Sequence, residues 1–348
     1  MLGALAVVGL ACWLASALVM CTVGRGWSLD LRVYLAAGRA FLSGHPVYSL
    51  SFTAQHLPFS YPPFALAILS PISELPTSVV EAGWWVLDAV ALTATLWIAL
   101  ASAGVGRRAR WQLALGIGGI AALALEPVRS NIDYGQINVV LMLMVVADLL
   151  AVKGRGRGLL VGIAAAIKLT PLYFVLYFLV TRDTRALRNS VGSFAVLTGV
   201  SWLLMPSQSD RYFLHELRSP NQFGGLGSVS NQAWAGILHR TPFSVTVGSS
   251  VLWIVLCLAT TVVVCWLAAR VVDRSPLQAA FAIGLGSLLV SPLSWSHHWC
   301  WLVLLPIVAW QLRDDRVLLA LNGLVLLDVT LGVYLWFRRG ASRSIASS

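Results

Sequence analysis

Asp30 stands in the stretch WSLDLRVYLAAGRAF, residues 27–41, a few positions after the first long apolar run ends. A carboxylate at such a place has two readings. In the first turn of a helix it answers free backbone N–H groups and the positive end of the helix dipole. Beside a reactive hydroxyl it accepts a proton. The chain has only 14 acidic residues, so the candidates for a base are few. Asp183, Asp210, Asp273, Asp314 and Asp315 lie beside basic residues in loops or at the ends of apolar runs, and Asp88 and Asp148 lie inside such runs. Glu126 and Asp133 remain as rivals to Asp30. Other polar residues gather in GHPVY (44–48), FSYPPF (59–64), NIDYGQIN (131–138), NQ (231–232) and SPLSWSHHW (291–299), and Lys168 opens KLTP (168–171). The pair His297 and His298 has no third ligand at a suitable spacing, so no metal is expected.

The elements that must position these residues are apolar helices. Of 348 residues, 58% are hydrophobic and 11% charged, and the apolar residues come in long runs rather than in alternation. This is the pattern of an all-α polytopic membrane protein. Residues 1–22 form the clearest span. A cleaved signal peptide is the competing reading of this run, which lacks a basic segment at its start. Further spans are expected near 77–104, 111–127, 136–152, 191–206, 244–269, 277–292, 298–312 and 317–337, with residues 338–348 as a disordered tail and 1–348 as one domain. Residues 62–75 are apolar but short, and are expected to dip into or lie against the bundle. The five cysteines lie in or at the ends of apolar runs without CxxC spacing and read as small core residues.

The net charge of +10 reflects topology rather than nucleic-acid binding. Basic clusters at Arg107/Arg108/Arg110, Lys153/Arg155/Arg157, Arg182/Arg185/Arg188, Arg270/Arg274 and Arg313/Arg316 sit in short loops and are expected on the cytoplasmic side. The polar motifs then fall outside, in 24–61, about 126–136, about 206–242 and about 292–298. Residues 159–180 lie between two basic clusters yet form one apolar run broken at KLTP. A re-entrant pair of short helices satisfies both clusters, because Pro171 removes a backbone donor and disfavours helix in the residue before it. In the outer loop 24–61, Leu31, Tyr34, Leu35, Gly38, Phe41 and Leu42 share one helical stripe, with Arg32, Arg39 and Ser43 on another. An amphipathic interfacial helix is expected over about 30–43.

With these motifs in order, the sequence resembles glycosyltransferase family 87. The resemblance rests on the outer Asp30 followed by VYLAAGRAFLSGHPVY, YPPFALAILSP, YGQINVVLMLM, GLLVGIAAAIKLTPLYFVLYFL and SWSHHW, and it covers about residues 1–335. It implies a GT-C-like bundle of about 9 to 11 transmembrane helices with re-entrant or interfacial short helices. The implied reaction is inverting transfer of mannose from polyprenyl-phosphate-mannose to an envelope glycolipid or lipoglycan, forming an α-(1→2) linkage. Phosphatidylinositol mannosides and lipoarabinomannan are the family's acceptor context. No cofactor is implied, the donor being a co-substrate, and the partners are donor, acceptor and bilayer. The location implied is the plasma membrane, with the site on the extracytoplasmic side.

By the same resemblance, Asp30 matches the family's catalytic aspartate and would be the general base. His297, His298, Lys168 and Tyr61 would contact the donor phosphate or sugar, although Lys168 could instead snorkel. Tyr34, Gln136, Asn138, Asn231 and Trp295 would contact acceptor or sugar; loop caps and the aromatic belt use the same residue types. A transporter or lipid flippase is the rival from another class, favoured by the break at Lys168–Pro171 and by the intramembrane Asp88 and Asp148.

Overall fold

The computed structural model describes residues 2–23, 28–218, 225–241 and 247–311; the expected last span, the Arg313/Arg316 cluster and the tail lie outside them. The helices are α1 (Leu2–Val23), α2 (Leu29–Leu42), α3 (Pro63–Leu69), α4 (Thr77–Ser102) and α5 (Arg107–Ala124). They continue as α6 (Glu126–Tyr134), α7 (Asn138–Leu150), α8 (Leu159–Ile167), α9 (Val175–Val180) and α10 (Thr184–Leu204). Then follow α11 (Pro206–Asp210), α12 (Trp234–His239), α13 (Val247–Val271), α14 (Pro276–Val290) and α15 (Leu305–Gln311). The sheet among the described residues is one antiparallel pair, Ser51↔Pro58 and Phe52↔Leu57.

Three helices in the described residues, at Leu2–Thr22, Thr77–Ser102 and Ser250–Val271, are single pieces long and apolar enough to cross a membrane. A fourth counts if α5 and α6, bent by 76°, are one broken span. Shorter apolar helices at Pro63–Glu74, Asn138–Leu150, Thr170–Val180 and Pro276–Val290 complete the apolar set of the described residues. Exposed Leu10, Leu14 and Leu18 on α1, and Ile254, Leu258 and Val262 on α13, have no aqueous role and suit lipid. Helix α14 is instead buried on most of its surface and forms the bundle's centre. The α1–α5 contact is close because a Cβ on Gly119 would meet the backbone of Gly9, so small residues let two helix backbones touch.

The 159–180 segment breaks where KLTP predicts. Helix α8 stops at Ile167, Lys168 is extended, and a 3₁₀ turn over Thr170–Phe174 leads into α9. The two ends of the segment meet: Arg157 Nε lies 3.6 Å from Asp183 Oδ2, and Asn189 Nδ2 donates to the carbonyls of Arg155 and Arg157 at 2.9 and 2.7 Å. Asp148, near the end of α7, accepts N–H bonds from Gly158 and Val161 at 2.6 and 2.8 Å and so caps α8 at the same place. The chain therefore runs from the Arg-rich end to Lys168 and back. The run expected as a span from 298 is a 3₁₀ helix over Ser296–Leu304 followed by the short α15.

Helix α2 is more enclosed than an interfacial helix. Val33 and Ala37 are buried together with Leu31, Tyr34, Leu35 and Gly38, whereas Leu42 is 52% exposed. Arg32 pairs with Glu81 of α4 at 2.9 Å, and Arg39 Nε donates to the Ser73 carbonyl at 2.8 Å, so the polar face is tied to protein as well.

Candidate active site

The site forms where the end of α6 meets the start of α2. Helix α6 closes with Gly135 in the left-handed region (φ +65°). The N–H of Gly135 bonds to the Ile132 carbonyl at 3.0 Å and that of Gln136 to the Asn131 carbonyl at 2.9 Å, a Schellman closure. A Cβ on Gly135 would come within 2.6 Å of Leu31 Cβ, so glycine serves both the turn and the approach of α2. The Ser28 N–H also donates to the Asp133 carbonyl at 2.8 Å. These contacts place Asp30, in the first turn of α2, beside Gln136.

Gln136 Nε2 donates to Asp30 Oδ2 at 2.7 Å, and its Oε1 accepts from the Tyr61 hydroxyl at 2.9 Å. Tyr34 donates to the Tyr61 oxygen at 2.7 Å. That chain of donors fixes which way the Gln136 amide faces, because Tyr61 needs an acceptor and the carboxylate needs a donor. Burial of Asp30 raises its carboxyl above the usual carboxylate range; the Gln136 hydrogen bond and the charge of Lys168 oppose part of that rise. Among the described residues Oδ2 alone is engaged by a hydrogen bond, and Asp30 lines the main cavity.

A second arm faces the first. Lys168, extended at the break, donates from Nζ to Asn138 Oδ1 at 2.6 Å, lies 3.1 Å from His298 Nε2 and sits 5.3 Å from the Tyr61 ring centre. His297 packs edge-on against both Tyr134 and His298, at 5.6 and 4.7 Å between ring centres. Its Nε2 is buried without a hydrogen-bond partner among the described residues. Asp30, Tyr34, Tyr61, Gln136, Lys168, Trp295, His297 and His298 all line one cavity of about 940 Å³. Asn138 lines a small adjoining pocket with Lys168 and His298. The cavity continues into an apolar arm along Leu172, Leu176, Val290 and Leu293, where Tyr173 of the 3₁₀ turn donates to Thr261 of α13 at 2.9 Å.

Asn231, unlike Asn138, lines neither this cavity nor the adjoining pocket. Its Nδ2 donates to the carbonyls of Leu226 and Pro292 at 3.0 and 3.1 Å, and its Oδ1 accepts from the N–H groups of Ala233 and Ser294 at 3.2 and 2.9 Å. Fully buried and fully bonded, it ties the 225–241 segment to the loop before His297. Tyr134 lines the cavity too, as do Tyr173 and Thr261, which the sequence did not single out. No composition signal separates such residues from belt aromatics or helix hydroxyls. The base rivals are placed as follows: Asp133 lies 3.9 Å from Arg129, and Glu126 opens α6. Neither lines the cavity.

Residues 59–292, more than half of the chain, match the description "Glycosyltransferase family 87". The chain belongs to glycosyltransferase family 87. A polyprenol-phosphate-mannose-dependent alpha-(1-2)-phosphatidylinositol mannoside mannosyltransferase of Mycobacterium tuberculosis is 34% identical over 329 residues, 87% of this chain and 76% of that protein. The Mycolicibacterium smegmatis protein of the same description is 35% identical over 320 residues, 83% and 72% of the two chains. A polyprenol-phosphate-mannose-dependent alpha-(1-2)-phosphatidylinositol pentamannoside mannosyltransferase of M. smegmatis is 35% identical over 304 residues, 85% and 71%. No solved structure matches significantly. Family membership makes the chain a glycosyltransferase, and the Lys168–Pro171 break, equally at home in a transporter, opens on the cavity that holds Asp30.

Proposed function

We propose that this family 87 glycosyltransferase transfers mannose from polyprenyl-phosphate-mannose to a hydroxyl of an envelope glycolipid such as a phosphatidylinositol mannoside, forming an α-(1→2) linkage. The observation that carries the reading is a carboxylate, Asp30, and a cationic arm, Lys168 with His298, lining one cavity in a chain 34–35% identical to proteins described by that activity. The acceptor oxygen attacks C1 of the mannose as the C1–O bond to phosphate breaks. Its proton passes to Asp30, and polyprenyl phosphate leaves with both electrons of the broken bond. Attack opposite the leaving group inverts a β-linked donor to an α-product. Raised basicity of Asp30 suits a base that must take a proton from a hydroxyl. Lys168 Nζ, and His297 through its free Nε2, meet the charge that grows on the departing phosphate. The apolar arm between the 3₁₀ turn, α13 and α14 suits the isoprenoid chain, and Tyr34, Gln136 and Trp295 suit sugar hydroxyls and faces. No metal enters this scheme.

Sidedness follows from charge. Helix α7 has Asn138 at the site and its other end at the Arg-rich loop. With 13 residues it spans about 20 Å. Positive-inside placement of Lys153, Arg155, Arg182, Arg185 and Arg188 supports an extracytoplasmic cavity, with the plasma membrane as the proposed location. In this reading the short apolar helices join the three long ones in a GT-C-like bundle of about 9 to 11 crossings. The test is incubation of purified protein with labelled polyprenyl-phosphate-mannose and a panel of envelope glycolipids. Labelled α-(1→2)-mannoside product supports the reading; movement of lipid without transfer, or transfer only from a different polyprenyl-linked sugar, overturns it.

A further inference from the structure

We propose that Asn131 is a positioning residue that locks the proton-accepting arm of the site to its cationic arm. It is fully buried on α6 and lines neither pocket, so it acts through its neighbours. Its backbone carbonyl accepts the Gln136 N–H at 2.9 Å, and its Nδ2 donates to the Gln136 carbonyl at 3.0 Å. Residue 136 is thereby held at both of its backbone polar groups, which aims its side chain at Asp30. The Oδ1 of the same side chain accepts from Asn138 Nδ2 at 3.2 Å, and Asn138 Oδ1 receives Lys168 Nζ at 2.6 Å. A single amide thus touches both arms, and the position needs a donor and an acceptor together. Asparagine supplies both, whereas an aspartate lacks the donor and an apolar residue lacks both.

A second observation lies behind it. Asp88 of α4 is 1% exposed, and its carboxyl faces the Asn131 side chain. A buried carboxyl is costly without a polar neighbour, and Asn131 supplies one to Asp88. Asp88, inside α4, thus backs Asn131 rather than the substrate.

The inference rests on the mannosyltransferase reading, and the two fail separately: transfer by the wild-type protein tests that reading, and ratios of variant to wild type test this one. Two variants are compared in the full chain, with activities normalised to folded protein. Asn131→Ala removes both contacts. The double variant Asn131→Asp with Asp88→Asn keeps one carboxyl and one amide across the α4–α6 contact and keeps an acceptor for Asn138, but removes the donor to the Gln136 carbonyl. Loss of alignment at this distance from the chemistry is expected to lower kcat by about 10- to 100-fold in Asn131→Ala. The acid limb of kcat/KM is expected to move to higher pH in both variants, because the Asp30 carboxylate loses a fixed donor. The other groups around Asp30, which are Tyr34, Tyr61, Tyr134 and Lys168, are unchanged in both. In the double variant, donor KM is expected to stay within about twofold of wild type, since the acceptor that orients Asn138 remains. An acid limb that stays in place in both variants overturns the proposal, as does a donor KM that rises equally in both. Failure of both to fold overturns it as well, because Asn131 would then be a folding residue only.

Discussion

Replacing Gln136 by Leu tests the electrostatics of the site with little change of volume. In the native protein, Gln136 Nε2 donates to Asp30 Oδ2 at 2.7 Å, a charge-assisted contact when Asp30 is ionised. A hydrogen bond to a charged group contributes about 1.5–3 kcal/mol. At about 1.36 kcal/mol per pH unit, its removal raises the Asp30 pKa by about 1–2 units. The sign follows from which form is stabilised. The bond favours the carboxylate, and burial already raises this carboxyl, so losing the bond raises it further. With Asp30 as the proposed base, transfer needs the carboxylate, so the acid limb of kcat/KM is expected to move up by about 1–2 units. The deficit is then largest at low pH and narrows as pH rises through the new limb. The assay is transfer of labelled mannose measured over a pH series with Gln136→Leu and wild type. A limb that stays in place or moves down, or a loss equal at every pH, refutes the argument. Leu also leaves the Tyr61 hydroxyl without its acceptor; that cost would appear as lowered thermal stability, not as a displaced limb.

Asp30→Asn keeps the shape and an acceptor for Gln136 but cannot take a proton, so transfer is expected to fall by about 10²- to 10⁴-fold with expression and membrane insertion intact; activity within a few-fold of wild type would move the base elsewhere. Gly135→Ala forces a left-handed Cβ against Leu31, a conformation that costs about 1–2 kcal/mol before the clash. A lowered melting temperature together with transfer reduced at least tenfold is expected, and native-like values of both would show that α2 does not depend on this turn. Asn231→Ala is expected to lower thermal stability more than it changes donor KM, since all four of its side-chain bonds go to loop backbone; a selective rise in KM would restore it as a substrate contact. Single cysteines at the exposed positions Gln55 and Ser207, in a Cys-free background, should react with an impermeant thiol reagent in intact cells, and those at Lys153 and Thr184 only after permeabilisation. The reverse pattern would invert the proposed sidedness.

Hydropathy alone determined that the chain is helical and membrane-embedded, because burying a long apolar run in lipid is decided segment by segment. The break at Lys168–Pro171 was equally local, since a proline ring removes a helix hydrogen bond whatever surrounds it. Asp30, the His pair and Gln136 were visible as polar residues at the ends of apolar runs. Their joint membership of one cavity was not visible, because it depends on α6 closing at Gly135 against Leu31 and on the extended Lys168 reaching Asn138. Nor could hydropathy settle the span count: the 3₁₀ segment over Ser296–Leu304 divides the run expected as one span from 298, and α5 and α6 count as one crossing only across a 76° bend. Asn231 and Asn131 make the limit clearest. Both are asparagines in polar motifs, yet one is spent on loop backbone and the other joins the two arms of the site. An amide takes its role from the donors and acceptors that face it, and those come from residues far away in the chain, so only the tertiary structure could tell the two apart.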